Sequence, residues 1–519
     1  MDTENSKPGV LSIFNDRNKL FLVFVFAVGL VVRTNHLLQP INTGSWRESD
    51  ISSIARNYER HGMNFLYPEI DWAGKGPSYA EMEFPVYPYL IAISHKLFGY
   101  YEPTGRIISF IFSLLTLLVF IKLSRLILPK MAANISSAIF SISPINLFAA
   151  VAVQSESIMF FFYVWAVYLF YKWLQKDTLK LFIWSIIALA MAILSKATSI
   201  HLGLFFILLL FRKYKFDAFK KVKIWMFALL SLLPGFLWYY HAKLFYLEYG
   251  NSLGVSNEHH WIGIEFFKNY HILLNIININ IYYVWSKAGL LLLVIGLIAA
   301  GKYYLKEFVL PMFWGISVYL YYIIISRTSG SDWSFYYHIF SIPYMSLLYG
   351  LALYMIYKKF ISGAVTFLKE NSTLLKLFKP AIIIIVCGLI ILQLYQLYKP
   401  YYSISNHYLA KSEYYECIKK FNAQIPKNEM VLVTGGTCYD LEDRHQVAYN
   451  VSFPFYWMDR KGYNICIQEQ DTVTINSYKK QGIHYFLYQH HDLFKDLDGP
   501  IEKNYSLLDT CKSYRLYKL

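Results

Sequence analysis

The chain has 519 residues, of which 56% are hydrophobic, 19% aromatic and only 16% charged. Soluble globular proteins carry about 25% charged residues, so the composition excludes an ordinary soluble domain and points to an α-helical polytopic membrane protein. The net charge of +15 does not indicate nucleic acid, because the basic residues sit in short clusters between apolar runs, without zinc-finger spacing, a basic helix or a Gly-rich phosphate loop.

A hydrocarbon core of about 30 Å takes about 20 helical residues. Apolar runs place about 11 such helices, at residues 17–36, 104–127, 133–150, 154–174, 180–196, 199–212, 222–245, 281–300, 306–326, 334–357 and 379–398. The first, around Leu20 to Val32, lacks a small-residue cleavage site after it and reads as a retained anchor. Pro144 with "QSES" separates the third and fourth runs, and "SKATS" the fifth and sixth.

With the N-terminus in the cytoplasm, the inner loops collect Lys122, Arg125, Lys172, Lys176, Arg212, Lys213, Lys302 and Lys306, with more lysines after Tyr357. The short outer loops hold little beyond Lys196, Lys268 and Arg327. That asymmetry is the positive-inside pattern, and an odd helix count puts the C-terminus outside. Three larger pieces then face outward: 37–103, 246–280 and the tail. The chain divides into a transmembrane part, 1–398, and an extracytoplasmic α/β domain, 399–519.

In that tail, "IPKNEMVLVTGG" predicts a turn and a buried strand, "TINSYKKQG" a short helix, "IHYFLYQ" a strand and "SYRLYKL" a final strand. "VTGGTC" lacks the G-x-G-x-x-G spacing of a nucleotide loop. Cys417, Cys438, Cys466 and Cys511 all lie in the tail, and Cys387 in the last apolar run. An even set in an oxidising compartment suggests two disulfides, with three pairings open.

The first outer piece contains "GSWRESDISSIARNYERHG", Gly44 to Gly62. Ile51, Ile54, Ala55 and Tyr58 follow helical spacing, which predicts a helix over 49–61 lying flat at the membrane interface. Ser45 and Glu48 have capping-box spacing, and Asp50 lies in the first turn, where the helix dipole favours a carboxylate. An acid at the membrane interface is also a functional candidate.

"WRESDISSIARNY", then "NFLYPEIDW", then "EFPVYPYLIAISHKLFG" resembles the first extracytoplasmic loop of the GT-C glycosyltransferases, in the group of protein O-mannosyltransferases and aminoarabinose lipid A transferases. The likeness covers roughly the first 200 residues and the later helices by pattern. It implies a GT-C fold, a catalytic Asp in this loop and a polyprenyl-phosphate sugar donor. The aminoarabinose transferases carry an Asp-Glu pair ahead of their Ile-Ala-Arg. Counted back from Ile54-Ala55-Arg56, that pair falls on Arg47 and Glu48, so the Asp position is Arg here. The expected base is therefore Asp50 or Glu48, with Asp50 favoured.

The chemistry fits these residue types. A carboxylate takes the proton of an attacking hydroxyl or amine, and cations meet the charge on a leaving lipid phosphate. Lys196 in "LSKATS" resembles a family lysine and is the first candidate for the phosphate. Arg56 and His338 follow, with Arg327 and His241 weaker. Glu156 resembles a second family acid. Glu83 resembles the family's acid before Pro and, with Glu81, is a candidate for acceptor contact or for holding the loop. Trp46, Trp72 and Tyr79 could stack on sugar rings. Glu258, His259 and His260 form too weak a set to assign a metal site, no cofactor is called for, and a divalent cation stays open.

The expected function is an inverting glycosyltransferase. It moves a sugar from a polyprenyl-phosphate donor, undecaprenyl phosphate foremost, to an envelope glycan, lipid or protein acceptor on the outer face of a bacterial inner membrane. The rivals are a lipid-linked saccharide or polysaccharide transporter and an O-antigen-type polymerase. The apolar spans hold almost no acids, which argues against a pathway through the membrane.

Overall fold

The computed structural model describes residues 17–255, 270–362, 373–439, 449–491 and 498–519. An apolar helix, α1 (Arg17–Val32), leads to two helices beyond the bundle, α2 (Trp46–Arg60) and α3 (Val86–Phe98). The bundle begins with α4 (Thr104–Ile127), α5 (Lys130–Ser141), α6 (Pro144–Ala149), α7 (Glu156–Lys176), α8 (Leu179–Ser195), α9 (Leu202–Tyr214) and α10 (Val222–Tyr249). It continues with α11 (Tyr270–Asn280), α12 (Lys287–Tyr304), α13 (Val309–Ile324), the short α14 (Ser326–Ser329), α15 (Ser341–Ile356) and a long helix, Thr373–Tyr408. Among the described residues, seven helices are long and apolar enough to cross a membrane, or eight if one bent pair is a single span. Asn18–Val32 and Leu179–Ser195 are apolar but shorter.

Two expected spans change shape. The run 133–150 is two pieces, because α5 stops at Ser141 and Pro144 starts the six-residue α6. Proline has no N–H to continue the ladder. The buried Arg33 at the end of α1 donates to the freed Ser141 carbonyl at 2.8 Å, which keeps a helix break tolerable inside an apolar bundle. The run expected at 281–300 starts earlier, at Tyr270, inside the piece expected to lie outside. It then bends by 83° between Trp285 and Lys287. Ser286 takes a positive φ of 54° at the bend, and its hydroxyl accepts from Gly289 N at 2.9 Å to cap α12.

The tail folds as expected and adds strands that carried no clear signal. β1 (Val431–Thr434), β2 (Gly462–Ile465), β3 (Tyr485–Gln489), β4 (Ser506–Cys511) and β5 (Tyr514–Lys518) form one sheet in the order β2-β1-β3-β5-β4. β1 runs parallel to both β2 and β3, while β5 is antiparallel to β3 and β4. β1 is buried along its whole length, as the unbroken apolar run requires of a strand covered on both faces. The predicted helix is Thr472–Lys480, capped by Asp471. The long helix Thr373–Tyr408 runs past the boundary read at 398. Cys417 pairs with Cys511, and Cys438 with Cys466.

The three pieces expected to face outward meet at one end of the bundle. Ala73 bridges Tyr463, and Glu81 bridges Ser252. Asp71 O accepts from Gly462 N at 2.9 Å and Gly462 O accepts from Gly74 N at 2.8 Å, so the first outer piece covers the edge strand β2. Gly74 is required there. Its φ is +81°, and a Cβ would fall 2.2 Å from the Tyr463 ring. One hydrophobic core is shared by α2 (Ile51, Ile54), the following loop (Ile70, Trp72) and the tail (Phe421, Val431, Phe455, Trp457).

Because of that shared core, α2 is not a flat interfacial helix with one apolar face. Every residue from Glu48 to Tyr58 is buried. The tail covers the side expected to face water, with Ser452 Oγ donating to Trp46 O at 2.6 Å.

Candidate active site

Glu48 is the most engaged acid of the first outer piece. Ser45 does cap α2, accepting from Glu48 N at 3.3 Å, but the Glu48 carboxylate does not complete the expected capping box. Both its oxygens face Arg106 at 3.0 Å. They also accept from Thr43 Oγ1 at 2.7 Å and Val153 N at 2.9 Å. A buried carboxylate held by a bidentate guanidinium and two further donors ties α2 to α4 and to the turn before α7. Each of its two oxygens thus accepts two hydrogen bonds.

Asp50, the favoured base, is also buried. Oδ1 accepts from Trp72 Nε1 at 3.0 Å, and Oδ2 has no hydrogen-bond partner. Burial pushes its pKa up to about 7, against the opposing pull of the Trp72 hydrogen bond and the Arg47 charge. Asp50 does not line the cleft described next.

That cleft is lined by Arg47, Glu83, Lys196, Thr198, Tyr239 and Tyr337, with Leu253 to Val255 at its side. One main-chain bond and one indole bond assemble it. Phe84 N donates to Leu194 O at 3.0 Å, and Trp238 Nε1 donates to Met82 O at 3.1 Å. The residues flanking Glu83 are thereby pinned to α8 and α10, and Lys196 follows two positions after Leu194. Lys196 contacts the Glu156 carboxylate and sits over the rings of Tyr337, at 4.2 Å, and Tyr336, at 5.0 Å. Arg47 lies over Trp46 at 4.7 Å and donates to Leu253 O at 3.1 Å. Arg47 Nη1 stands 3.5 Å from Glu83 Oε2, too far for a good hydrogen bond, and neither atom has another partner. Two cations therefore meet in one cleft, Lys196 paired with Glu156 and Arg47 only loosely with Glu83, the carboxylate that lines it.

Arg47 also lines a second, larger cavity, walled by Trp46, Phe148, Trp333, Phe335, Tyr336 and Tyr408. Gln154 lines it too, and its buried Oε1 has no hydrogen-bond partner.

The structure thus brings together Lys196, Glu156 and Glu83 of the expected set, places Glu48 on the wall of the larger cavity that Arg47 shares, and leaves the others elsewhere. Arg56 is buried against Asp71 at 2.7 Å and Asp459 at 2.9 Å, and donates to Tyr456 O, so it fastens α2 to the tail. His338 is buried with both ring nitrogens occupied, by Asn280 at 2.7 Å and Ser329 O at 2.8 Å. Arg327 lies on α14 and Glu81 accepts from Ser252 Oγ at 2.6 Å. Neither lines the cleft. His241 faces Leu66 O and the rings of Tyr67 and Phe245. Glu258, His259, His260 and Lys268 lie outside the described residues.

Arg47, Tyr336 and Tyr337 were not expected. The signal for Arg47 was its place on the family's acid position. The signal for the tyrosines was their adjacency to His338, which in fact points away. For a metal, the one close trio among the described residues is Cys438, Cys466 and Glu469. Its sulfurs are joined to each other and offer no thiolate.

Comparison with known proteins now bears on this arrangement. The family described as dolichyl-phosphate-mannose-protein mannosyltransferase matches residues 80–240. Comparison with curated proteins gives no significant match. Among solved structures, ArnT from Cupriavidus metallidurans bound to undecaprenyl phosphate is 14% identical, with a TM-score of 0.63 over 96% of this chain and 98% of that one. The oligosaccharyltransferase AglB from Archaeoglobus fulgidus, in complex with an inhibitory peptide and a dolichol-phosphate, is 12% identical, with a TM-score of 0.57 over 91% and 70%. The arabinofuranosyltransferase AftD from Mycobacteria is 12% identical, with a TM-score of 0.53 over 96% of this chain and 41% of that one. At these identities the likeness is one of fold, and the chain has the fold of the GT-C glycosyltransferases.

Proposed function

We propose that the chain is an inverting glycosyltransferase that uses a polyprenyl-phosphate sugar donor, with its chemistry in the cleft of Arg47, Glu83, Glu156 and Lys196. The observation that carries this reading is the cleft's charge pattern. It holds cations fit for a phosphate and a carboxylate, Glu83, with an unpartnered oxygen beside them. Lys196 and Arg47 hold the donor phosphate, Tyr336 and Tyr337 flank it, and Glu156 keeps Lys196 in place. The cavity beside Arg47, with its aromatic walls, has room for the prenyl end of the donor. The ArnT structure holds undecaprenyl phosphate, which supports the same class of carrier here.

The acceptor hydroxyl or amine attacks the anomeric carbon. A new bond forms from the acceptor to that carbon, and the bond from the carbon to the phosphate oxygen breaks. Glu83 takes the acceptor's proton, a step worth about 10²–10⁴-fold. The lipid phosphate leaves with the bonding electrons, against Lys196 and Arg47. A single in-line displacement of this kind inverts the anomeric centre. Glu83 replaces Asp50 as base because it reaches the cleft. Asp50 becomes a positioning residue behind α2.

The sidedness follows the positive-inside pattern. Arg212, Lys213 and Lys306 line a cavity with Leu174 and Gln175 near the end of α7, whereas Glu156 starts that helix at the cleft. The cleft and the tail then face outward, as on the outer face of a bacterial inner membrane, where envelope glycans, lipids and proteins are acceptors. The test is sugar transfer from a polyprenyl-phosphate donor pool to envelope acceptors by the wild-type chain and by Lys196→Met. Transfer that falls at least 100-fold in the variant supports the reading. Absence of transfer by the wild type turns it toward a transporter.

A further inference from the structure

A third cavity is lined by Trp72, the residue whose N–H holds Asp50. It is built where the first outer loop, the end of α10 and the tail meet. Its walls are Trp72, Tyr249, Tyr449, Tyr463 and the amides Asn251, Asn450 and Asn464, with Glu248 at the side. Asn464 is 8% exposed, and its Oδ1 has no hydrogen-bond partner in the structure. A buried amide oxygen left unpaired costs free energy unless something else donates to it. The cavity sits at the C-terminal end of the parallel strands, where open α/β sheets hold ligands. Asn464 is on β2, and Tyr449 is fixed beside it by Gly436 N donating to Tyr449 O at 2.8 Å. The Cys438–Cys466 disulfide joins the segments that follow β1 and β2.

The lining selects the ligand. Among the described residues it contains no Lys or Arg, so these walls offer a phosphate group no countercharge. Aromatic faces combined with planar amides suit a ring that is apolar on its faces and hydroxylated at its edge. From this we infer that the cavity is a binding subsite for an uncharged or amino-bearing oligosaccharide. On the transferase reading above, that oligosaccharide is the acceptor, and the enzyme takes a glycan rather than a bare lipid or peptide. Trp72 links the two places, because its ring lines the subsite while its N–H holds Asp50.

Binding can be tested without donor or transfer. The full chain in nanodiscs is applied to an array of neutral and amino-sugar oligosaccharides and of control peptides. The expected result is binding to at least one oligosaccharide, weakened at least tenfold by Tyr249→Ala and by Asn464→Ala, which alter different elements. Each variant is checked for an unchanged melting temperature, and Asn464→Asp serves as the milder replacement if Asn464→Ala unfolds. Oligosaccharide binding that both variants leave intact overturns the inference, as does binding to no oligosaccharide or to peptides alone. Oligosaccharide binding with the expected losses supports the subsite even if no transfer is found, in which case the transferase reading alone fails.

Discussion

Two sets of charges on the same outer loop behave in opposite ways. Glu48 with Arg106, and Arg56 with Asp71, are buried and closely hydrogen-bonded, and Arg56 also reaches the exposed Asp459. Arg47 with Glu83 is only half-buried, and the pair stands open at 3.5 Å with unpaired atoms on both sides. The first set is joined to other elements, α4 and the tail, and holds the loop. The second faces a cavity. Burial alone does not mark a working charge. What marks it is hydrogen-bonding capacity left over at the wall of a cavity, which separates Glu83 from Asp50, whose unpaired Oδ2 lines none of these cavities.

This contrast can be broken at several points. The largest effect on stability is expected at Glu48. Glu48→Gln leaves Arg106 buried without its countercharge, which costs about 3–5 kcal/mol and should appear as a lowered melting temperature in detergent, whatever happens to activity. A variant as stable as the wild type would show that this pair does not hold the loop.

Asp50 comes next, and its effect depends on pH. Its pKa in the folded chain is raised from 3.8 to about 7, so the native state binds this proton more tightly than the unfolded state does. The stability it contributes is complete below about pH 4 and is lost as pH rises through about 7. Asp50→Asn removes that dependence. The variant should be the more stable protein at pH 8, by on the order of 3–4 kcal/mol at most, with a flatter melting profile between pH 4 and 8. A wild-type profile in the variant would place the titration elsewhere.

The smallest effect is expected at Gly74→Ala, where the positive φ and the Tyr463 ring both oppose a side chain. A loss of about 1–3 kcal/mol, seen as a lower melting temperature, would confirm that the loop is seated on β2. No loss would mean that the contact is loose.

Much of the architecture could be read from local pattern. Ser45 caps α2, Ile51 and Ile54 face a core, and β1, β3, β5 and the helix Thr472–Lys480 lie where apolar period and turn residues put them. Lys196, Glu156 and Glu83 were also legible, because each sits beside a recognisable helix end or proline. The fate of Glu48 was not, since it depends on Arg106, 58 residues away. Nor was the burial of α2, whose outer side is covered by the tail some 400 positions later in the chain. Arg47 was read as a lost acid. Its charge makes sense only opposite Glu83, a contact made by the loop's return to α8. The short β2 and β4 gain their place from neighbours in the sheet, and the cysteine pairing from the fold of the tail.

The most direct test of the central claim compares Glu83→Gln and Asp50→Asn with the wild type in the same donor-to-acceptor transfer assay, at matched amounts of folded protein. Glu83→Gln should lose about 10²–10⁴-fold in rate while keeping its melting temperature, and Asp50→Asn should keep at least a tenth of the wild-type rate. Near-complete loss in Asp50→Asn together with a working Glu83→Gln would contradict the account and return the base to α2.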